Sequence, residues 1–483
     1  MEGFASKDEL KAYRMAEGAF RLGNIHPDHG TSFASGIEDD RGLFIAAGSR
    51  SGKGTTLIIP ALLEWRGGTF NMDPKGENAS LTAMRRARRE DAQGTGTAVR
   101  HFLGQRVAIL DPMEVVRGPA KALRVTYDPL QDIEIGTDRE SEQILDLVDG
   151  CVLSDGERDS VHFNESVATL MAGAIEALIH KKDKSEHTFL SVADLFRRGL
   201  DGLEEFLDGV DTPAGLAAEA KSILEGVEGE ERGAFRTTAS RQLKWLSDPR
   251  MQRHLKPSAF SLKRAVRENW SIYVCLPPGK IPRQKRWMRI LTNLALNAKM
   301  DSPFDHKGPP TLFMLDEFNA LGHFQVIEDA AGYMAGYGIK LVPVIQNIGQ
   351  VKKHYQKNWE TFLGNAGAII GFGLNDLETE QYLSDRAGKI MVWEESVSGS
   401  RTWNKGAFNA ASRTENRNMA LSERAVIWPN EIHARGARGQ MRGFVIPSDT
   451  APFMVERRNY WDTFPADHFD SPNQIKAWEA RHG

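Results

Sequence analysis

The stretch from Gly42 to Trp65, GLFIAAGSRSGKGTTLIIPALLEW, constrains the fold more than any other part of the chain. A short apolar run, Gly42 to Ala47, ends in a glycine-rich turn, and apolar residues at helical spacing follow from Thr55. A buried strand that feeds a helix through such a turn is the first half of a βαβ unit. The next apolar run, Thr69 to Met72, ends at Asp73-Pro74, and Arg106 to Met113 is a third strand that also ends in Asp-Pro. Pro60 interrupts the helical spacing and is expected to kink or break the helix there.

The length, 483 residues, exceeds one ordinary core and predicts two or three domains. With 41% hydrophobic and 26% charged residues the composition is that of a globular protein. The net charge of −4 excludes a chain that coats nucleic acid through overall basicity, so any such contact must be local. The two cysteines, Cys151 and Cys275, are too few for a zinc site and argue for a reducing compartment. No apolar run reaches the roughly 18 residues that read as a membrane-spanning helix. The first twenty residues are amphipathic, with no signal-peptide core, and suit a short helix packed on the body.

The chain divides by pattern. Residues 1–40 form an N-terminal segment, and 41–136 carry the first part of an α/β domain. Residues 137–265 are expected to form an all-helical insertion, because apolar spacings of three and four replace strand signals. The α/β pattern resumes over 266–450 with NWSIYVCLPPG, TLFMLDEF, IKLVPVIQN and GAIIGFG, and 451–483 form a C-terminal tail. Further strands are expected at RAVIWPNEI and MRGFVIPS, and a long mobile loop at Ser396 to Arg417.

Backbone amides of Gly48, Ser49, Arg50, Ser51 and Gly52, opening onto a helix N-terminus, make an anion site, and Lys53 would reach the β- and γ-phosphates of a nucleotide. The usual pattern is G-x-x-x-x-G-K-[ST]. Here Ala47 replaces its first glycine and Gly54 its hydroxyl residue. Asp316-Glu317 follows four apolar residues of TLFMLDEF, and acids at the end of a buried strand are costly unless they bind something. In a P-loop enzyme the first would hold Mg²⁺ and the second would position the attacking water. Gln346 ends the following strand, where an amide can sense the γ-phosphate.

The run GSRSGKGTTLIIPALLEWRGGTFNMDPKGENA resembles the TraG family of coupling-protein ATPases of type IV secretion and conjugation. YDPL, VCLPPGK, LDEFNALG, AGYGIKLVPVIQNIGQVKKHY and GAIIGFGLNDLETEQYLSDRAGK are similar to its later blocks in the same order, from about Gly42 to Ile446. The resemblance implies a RecA-like P-loop nucleotide-binding domain with an inserted all-α domain, ATP and Mg²⁺ as cofactors, and a hexamer. It also implies single-stranded DNA, a relaxase or effector proteins as substrates and channel components as partners. G-K-G occurs in that family, which makes Thr55 and Thr56 the nearest hydroxyls and Thr55 the expected contact to Mg²⁺. The block DPKGE puts Asp73, Lys75 and Glu77 near the nucleotide. Arg386 is the candidate for an arginine lent to a neighbouring subunit.

Members usually begin with two membrane helices, which this sequence lacks. Attachment to the cytoplasmic face of the inner membrane would then come through a partner or an anchor outside the sequence. Two alternatives remain open: a nucleotide-switched recruitment adaptor, and a soluble translocase similar to FtsK and HerA. Basic segments at Met84 to Glu90, Pro282 to Arg289 (with Trp287) and Ser400 to Arg417 are candidates for phosphate tracking and base stacking, or are solvated faces. In that last segment Arg401, Lys405, Arg413 and Arg417 alternate with Trp403 and Phe408. His162, His180 and His187 lack metal-ligand spacing, and the acidic Glu225 to Glu231 reads as a solvated or protein-contact surface.

Overall fold

The protein is described from a computed structural model that covers residues 2–153, 158–212, 214–303, 308–330, 332–403 and 411–482. Eleven strands form one sheet in the order β2-β1-β13-β12-β9-β3-β8-β7-β4-β6-β5. In chain order these are β1 (Phe20–Ile25), β2 (Ala34–Ile37), β3 (Leu43–Ala47), β4 (Thr69–Asp73), β5 (Val107–Leu110), β6 (Ser271–Cys275), β7 (Thr311–Asp316), β8 (Ile339–Ile345) and β9 (Ala368–Phe372). A separate two-stranded hairpin, β10 (Lys389–Trp403) with β11 (Ala411–Ala425), precedes β12 (Arg442–Pro447) and β13 (Phe453–Glu456).

From β9 to β5 the sheet is parallel throughout. Such strands are buried on both faces and need apolar side chains on each. β3 meets this need: Phe44 and Ala46 face one core, Leu43, Ile45 and Ala47 the other. The remaining strands β12, β13, β1 and β2 add antiparallel to β9. The first forty residues and the last thirty-three are therefore woven into the main sheet through β1, β2 and β13.

Between β5 and β6 the described residues contain helices and no strand. The longest, Arg158–Lys181, packs against Leu216–Gly226, and their apolar faces join the core on the Phe44 side of the sheet. Asp128 of YDPL ties this layer to the sheet domain. Its buried carboxylate accepts from the amides of Leu130 (3.1 Å) and Phe189 (2.9 Å), and so caps the helix Phe189–Arg197. Among the described residues no helix is long and apolar enough to cross a membrane.

Several expectations are corrected. The described residues of Ser396 to Arg417 are not a loop: they lie on β10 and β11, paired from Lys389↔Ala425 to Trp403↔Ala411. Lys405 and Phe408 lie outside the described residues. RAVIWPNEI is not a strand either, but the end of β11 followed by the helix Pro429–Gly436. The expected short N-terminal helix is present as a single turn, Lys7–Leu10, with Leu10 buried.

Two members of the basic runs belong to the interior. Arg86 is fully buried and donates to the carbonyls of Leu62 (2.6 Å), Trp65 (2.9 Å) and Gly67 (2.8 Å), Gln105 Oε1 (2.6 Å) and Ser271 Oγ (2.7 Å). It fastens the turn before β4 to β6, so Met84 to Glu90 offers no tracking surface at Arg86. Trp287 is buried on the helix Ile281–Met300, edge-on to His254 at 5.3 Å, and is unavailable for stacking on a base.

Candidate functional site

Parallel strands carry their functional residues at the carboxyl edge of the sheet, where the connecting loops converge. Here β3 runs into the glycine-rich turn, β7 into Asp316-Glu317 and β8 into Gln346. A cleft of about 950 Å³ opens at that edge. Ser49 to Thr56, Asp73, Lys75, Asp316, Glu317 and Gln346 all line it. Of the residues expected to bind nucleotide, Gly48 alone stands behind the wall, where a Cβ would collide with the Gly373 carbonyl.

The turn is shaped by backbone conformation. Arg50 (φ 57°) and Gly52 (φ 89°) are left-handed, a geometry that glycine adopts without strain. The following helix begins as a wide π-turn over Gly54–Ile58, with the Ile59 amide bonded to the Gly54 carbonyl, before the ordinary turns of Ile59–Glu64. Pro60 has no N–H to give to the turn before it, and the widened turn accommodates that loss. The amides of Gly48, Ser51 and Thr56 already donate to the carbonyls of Phe372, Gly48 and Gly52, so the anion donors are the remaining amides of the turn and first helical turn. A Cβ on Gly54 would meet nothing within 4 Å, so packing does not demand glycine there.

The charged side chains meet in the cleft. Lys53 Nζ lies 2.7 Å from Asp316 Oδ1, without the alignment of a hydrogen bond, and 4.0 Å from Glu317 Oε2. Glu317 is left-handed (φ 73°, ψ 49°), an uncommon backbone state for a residue with a side chain. Gln346 Nε2 donates to both of its carboxylate oxygens, at 3.3 and 3.2 Å. The Gln346 amide N–H is itself held by Gln350 Oε1 at 3.1 Å. An ammonium, two carboxylates and a carboxamide are thus gathered from three strand ends beside the glycine-rich turn.

The two threonines differ. Thr56 is buried, its hydroxyl bonded to the Gly52 carbonyl (2.9 Å) and to Arg457 Nη1 (3.1 Å). Thr55 is partly exposed and has only a longer contact to the same carbonyl, 3.2 Å. Arg457 itself was not legible as a site residue. It is 2% exposed, places its guanidinium over the Phe372 ring at 4.0 Å, and donates to the carbonyls of Ser51 (3.0 Å) and Arg442 (3.1 Å). Burial pulls its pKa down to about 10, so it remains charged at neutral pH.

Asp73 turns inward. Its Oδ2 accepts from the Ala79 amide at 2.8 Å, near the start of the helix Glu77–Arg86, and burial, with Asp316 nearby, pushes its pKa up to about 7. The folded state then holds a proton that the unfolded chain has released between pH 4 and 7, and stability falls as pH rises through that window. Asp73→Asn keeps the acceptor and removes the charge. Its stability in thermal melts should match the wild type near pH 4 and exceed it at pH 8, by about 4 kcal/mol. Equal melting curves at pH 8 would contradict this.

Lys75 is exposed on the cleft rim, and Arg386 is exposed on the helix Leu377–Ala387, outside the lining. The cleft also takes Arg438, Met441, Asn459 and Trp461 from beyond β11, residues that no sequence motif flagged. His180 and His187 are spent on Glu140 (2.6 Å) and the Lys182 carbonyl (2.9 Å). Among the described residues, the group whose ligand atoms lie close enough to share a cation is His101, Asp467 and His468, which does not line the cleft.

The family described as type IV secretory system conjugative DNA transfer matches residues 4–479. A conjugal transfer protein TraG of Escherichia coli is 28% identical over 391 residues, 76% of this chain and 58% of its own length. Protein VirD4 of Rhizobium radiobacter is 25% identical over 366 residues, 74% of this chain and 49% of its own. The chain thus spans about half the length of these curated relatives. Among solved structures, the plasmid coupling protein TrwB bound to the non-hydrolysable ATP analogue ADPNP superposes with TM-score 0.64 at 15% identity, covering 94% of this chain and 92% of that one. TrwB with ADP and Mg²⁺ gives 0.62 at 13%, covering 96% and 95%. At such identities the likeness concerns the fold, which is a RecA-like P-loop domain with an inserted all-helical domain.

Proposed function

Because this chain belongs to the family of type IV secretory system conjugative DNA transfer proteins, we propose that it is an ATP-driven coupling motor that delivers DNA, protein or both to a secretion channel. The observation that carries the reading is the meeting of Lys53, Asp316, Glu317 and Gln346 beside the glycine-rich turn. An open cleft where a lysine faces two carboxylates, one on a left-handed backbone, suits a polyphosphate and its cation better than it suits packing.

The donor set fits ATP with Mg²⁺. The turn amides and Lys53 would hold the phosphates, with Lys75 reaching from the rim. Thr55 and Asp316 are the residues that would hold the metal, since Thr56 has its hydroxyl committed to Gly52 and Arg457. Mg²⁺, when bound, neutralises charge that builds on the transferring phosphoryl group. Glu317 orients the attacking water and takes its proton, and Gln346, fixed to Glu317 and Gln350, couples the γ-phosphate to β8. An arginine from a neighbouring subunit, with Arg386 as the candidate, would complete the site in a ring of six. The substrate would be single-stranded DNA with an attached relaxase, or effector proteins, and the working place the cytoplasmic face of the inner membrane.

ATP turnover and mass in solution, measured with and without single-stranded DNA, test this reading. A motor should hydrolyse ATP several-fold faster with DNA and shift to the mass of a ring. Binding of ATP with no turnover in any assembled state would replace the motor with a nucleotide-switched adaptor.

A further inference from the structure

The cleft is larger than a triphosphate, and part of its wall comes from the C-terminal part of the chain. Met441, Asn459 and Trp461 face it from the segments that flank β12 and β13. Trp461 leaves 51% of its surface open in that wall. An indole exposed at a cleft loses hydrophobic stabilisation that a flat apolar partner would restore.

The placement of Trp461 is fixed from behind. It sits on the short helix Tyr460–Thr463, edge-on to Tyr460 at 4.9 Å. Tyr460 is buried in a small core with Ile59 and Leu63, two residues of the helix that leaves the glycine-rich turn. Arg457, four positions earlier, donates to Ser51 and Thr56 of the turn and its helix. The indole is therefore held in register with the phosphate-binding end of the same cleft.

We propose that Trp461 is the stacking platform for the purine base of the bound nucleotide, with Met441 and Asn459 completing the base end of the cleft. This rests on the reading of the cleft as a nucleotide site. Stacking uses the π-face that every base presents, so the platform raises affinity for adenine and guanine nucleotides alike without choosing between them.

The test compares equilibrium binding of ATP, GTP and inorganic tripolyphosphate, each with Mg²⁺, to the full chain and to Trp461→Ala and Trp461→Phe. The expected result is a weakening of ATP and GTP by about tenfold or more in Trp461→Ala. Tripolyphosphate affinity should stay unchanged and Trp461→Phe should recover most of the loss. Unchanged ATP affinity in Trp461→Ala overturns the proposal. So does an equal loss of ATP and tripolyphosphate, which would mark a structural role. A wild-type chain that binds none of the three overturns the nucleotide reading of the cleft, and this proposal with it.

Discussion

Replacing Glu317 with glutamine is expected to abolish ATP turnover while ATP still binds. The substitution is nearly isosteric, and the contacts made by Gln346 Nε2 at 3.2 and 3.3 Å can persist on one oxygen. On the proposed mechanism, what disappears is the group that accepts a proton from water, and removing a general base costs about 10²–10⁴ in rate. Lys53 keeps its partner Asp316 at 2.7 Å, so the phosphate-binding half of the site is untouched. Steady-state phosphate release should fall at least about a hundredfold, with the ATP dissociation constant held within about threefold. Turnover retained within threefold would show that another residue is the base.

The second large effect is expected at Arg457. Its guanidinium is enclosed and makes bonds to the Ser51 carbonyl, the Arg442 carbonyl and the Thr56 hydroxyl. Arg457→Met fills much of the volume over Phe372 and leaves those buried acceptors without a donor. Each orphaned group costs about 1–3 kcal/mol, so a loss of roughly 3 kcal/mol in stability is expected. The glycine-rich turn would lose its brace on the side away from the cleft, and ATP affinity should drop by about tenfold or more. Arg457→Lys restores the charge but not the fork of donors, so it should recover little. Thermal melting and ATP titration of the two variants decide this. Wild-type behaviour in Arg457→Met would remove the residue from the account.

Much of the central architecture was legible because its signals are local. Strand, turn and helix from Gly42 to Trp65 lie in sequence order, and LDE at the end of β7 needs no long-range information. The outer half of the sheet was not legible. β1, β2 and β13 are short and pair antiparallel, and their partners lie more than four hundred residues apart in the case of β1 and β13. The hairpin β10–β11 was missed because a stretch rich in Ser, Asn, Gly and Arg carries no alternating apolar signal, although its backbone pairs over fifteen positions.

Charge misled for a different reason. Composition records a basic run but not where its members point. Arg86 and Trp287 sit in such runs and are both buried, one as a clamp on carbonyls and one in the core. The same blindness hid Arg457 and Trp461, since ERRNYW has no recognisable spacing and gains meaning only when β13 returns beside β12. Gly54, which first reads as damage to a phosphate-binding motif, stands in open space with the partly exposed Thr55 hydroxyl one residue on. The position of the usual hydroxyl is free of steric demand, and Thr55 is the residue we propose in its place.

Steady-state phosphate release from ATP with Mg²⁺, by the wild-type chain and by Lys53→Ala side by side, tests the central claim most directly. Measured at concentrations where the protein assembles and with single-stranded DNA present, the wild type should turn over and Lys53→Ala should show none above background. Equal release by the two proteins, or none by the wild type, would contradict the assignment of this cleft as the site of ATP hydrolysis.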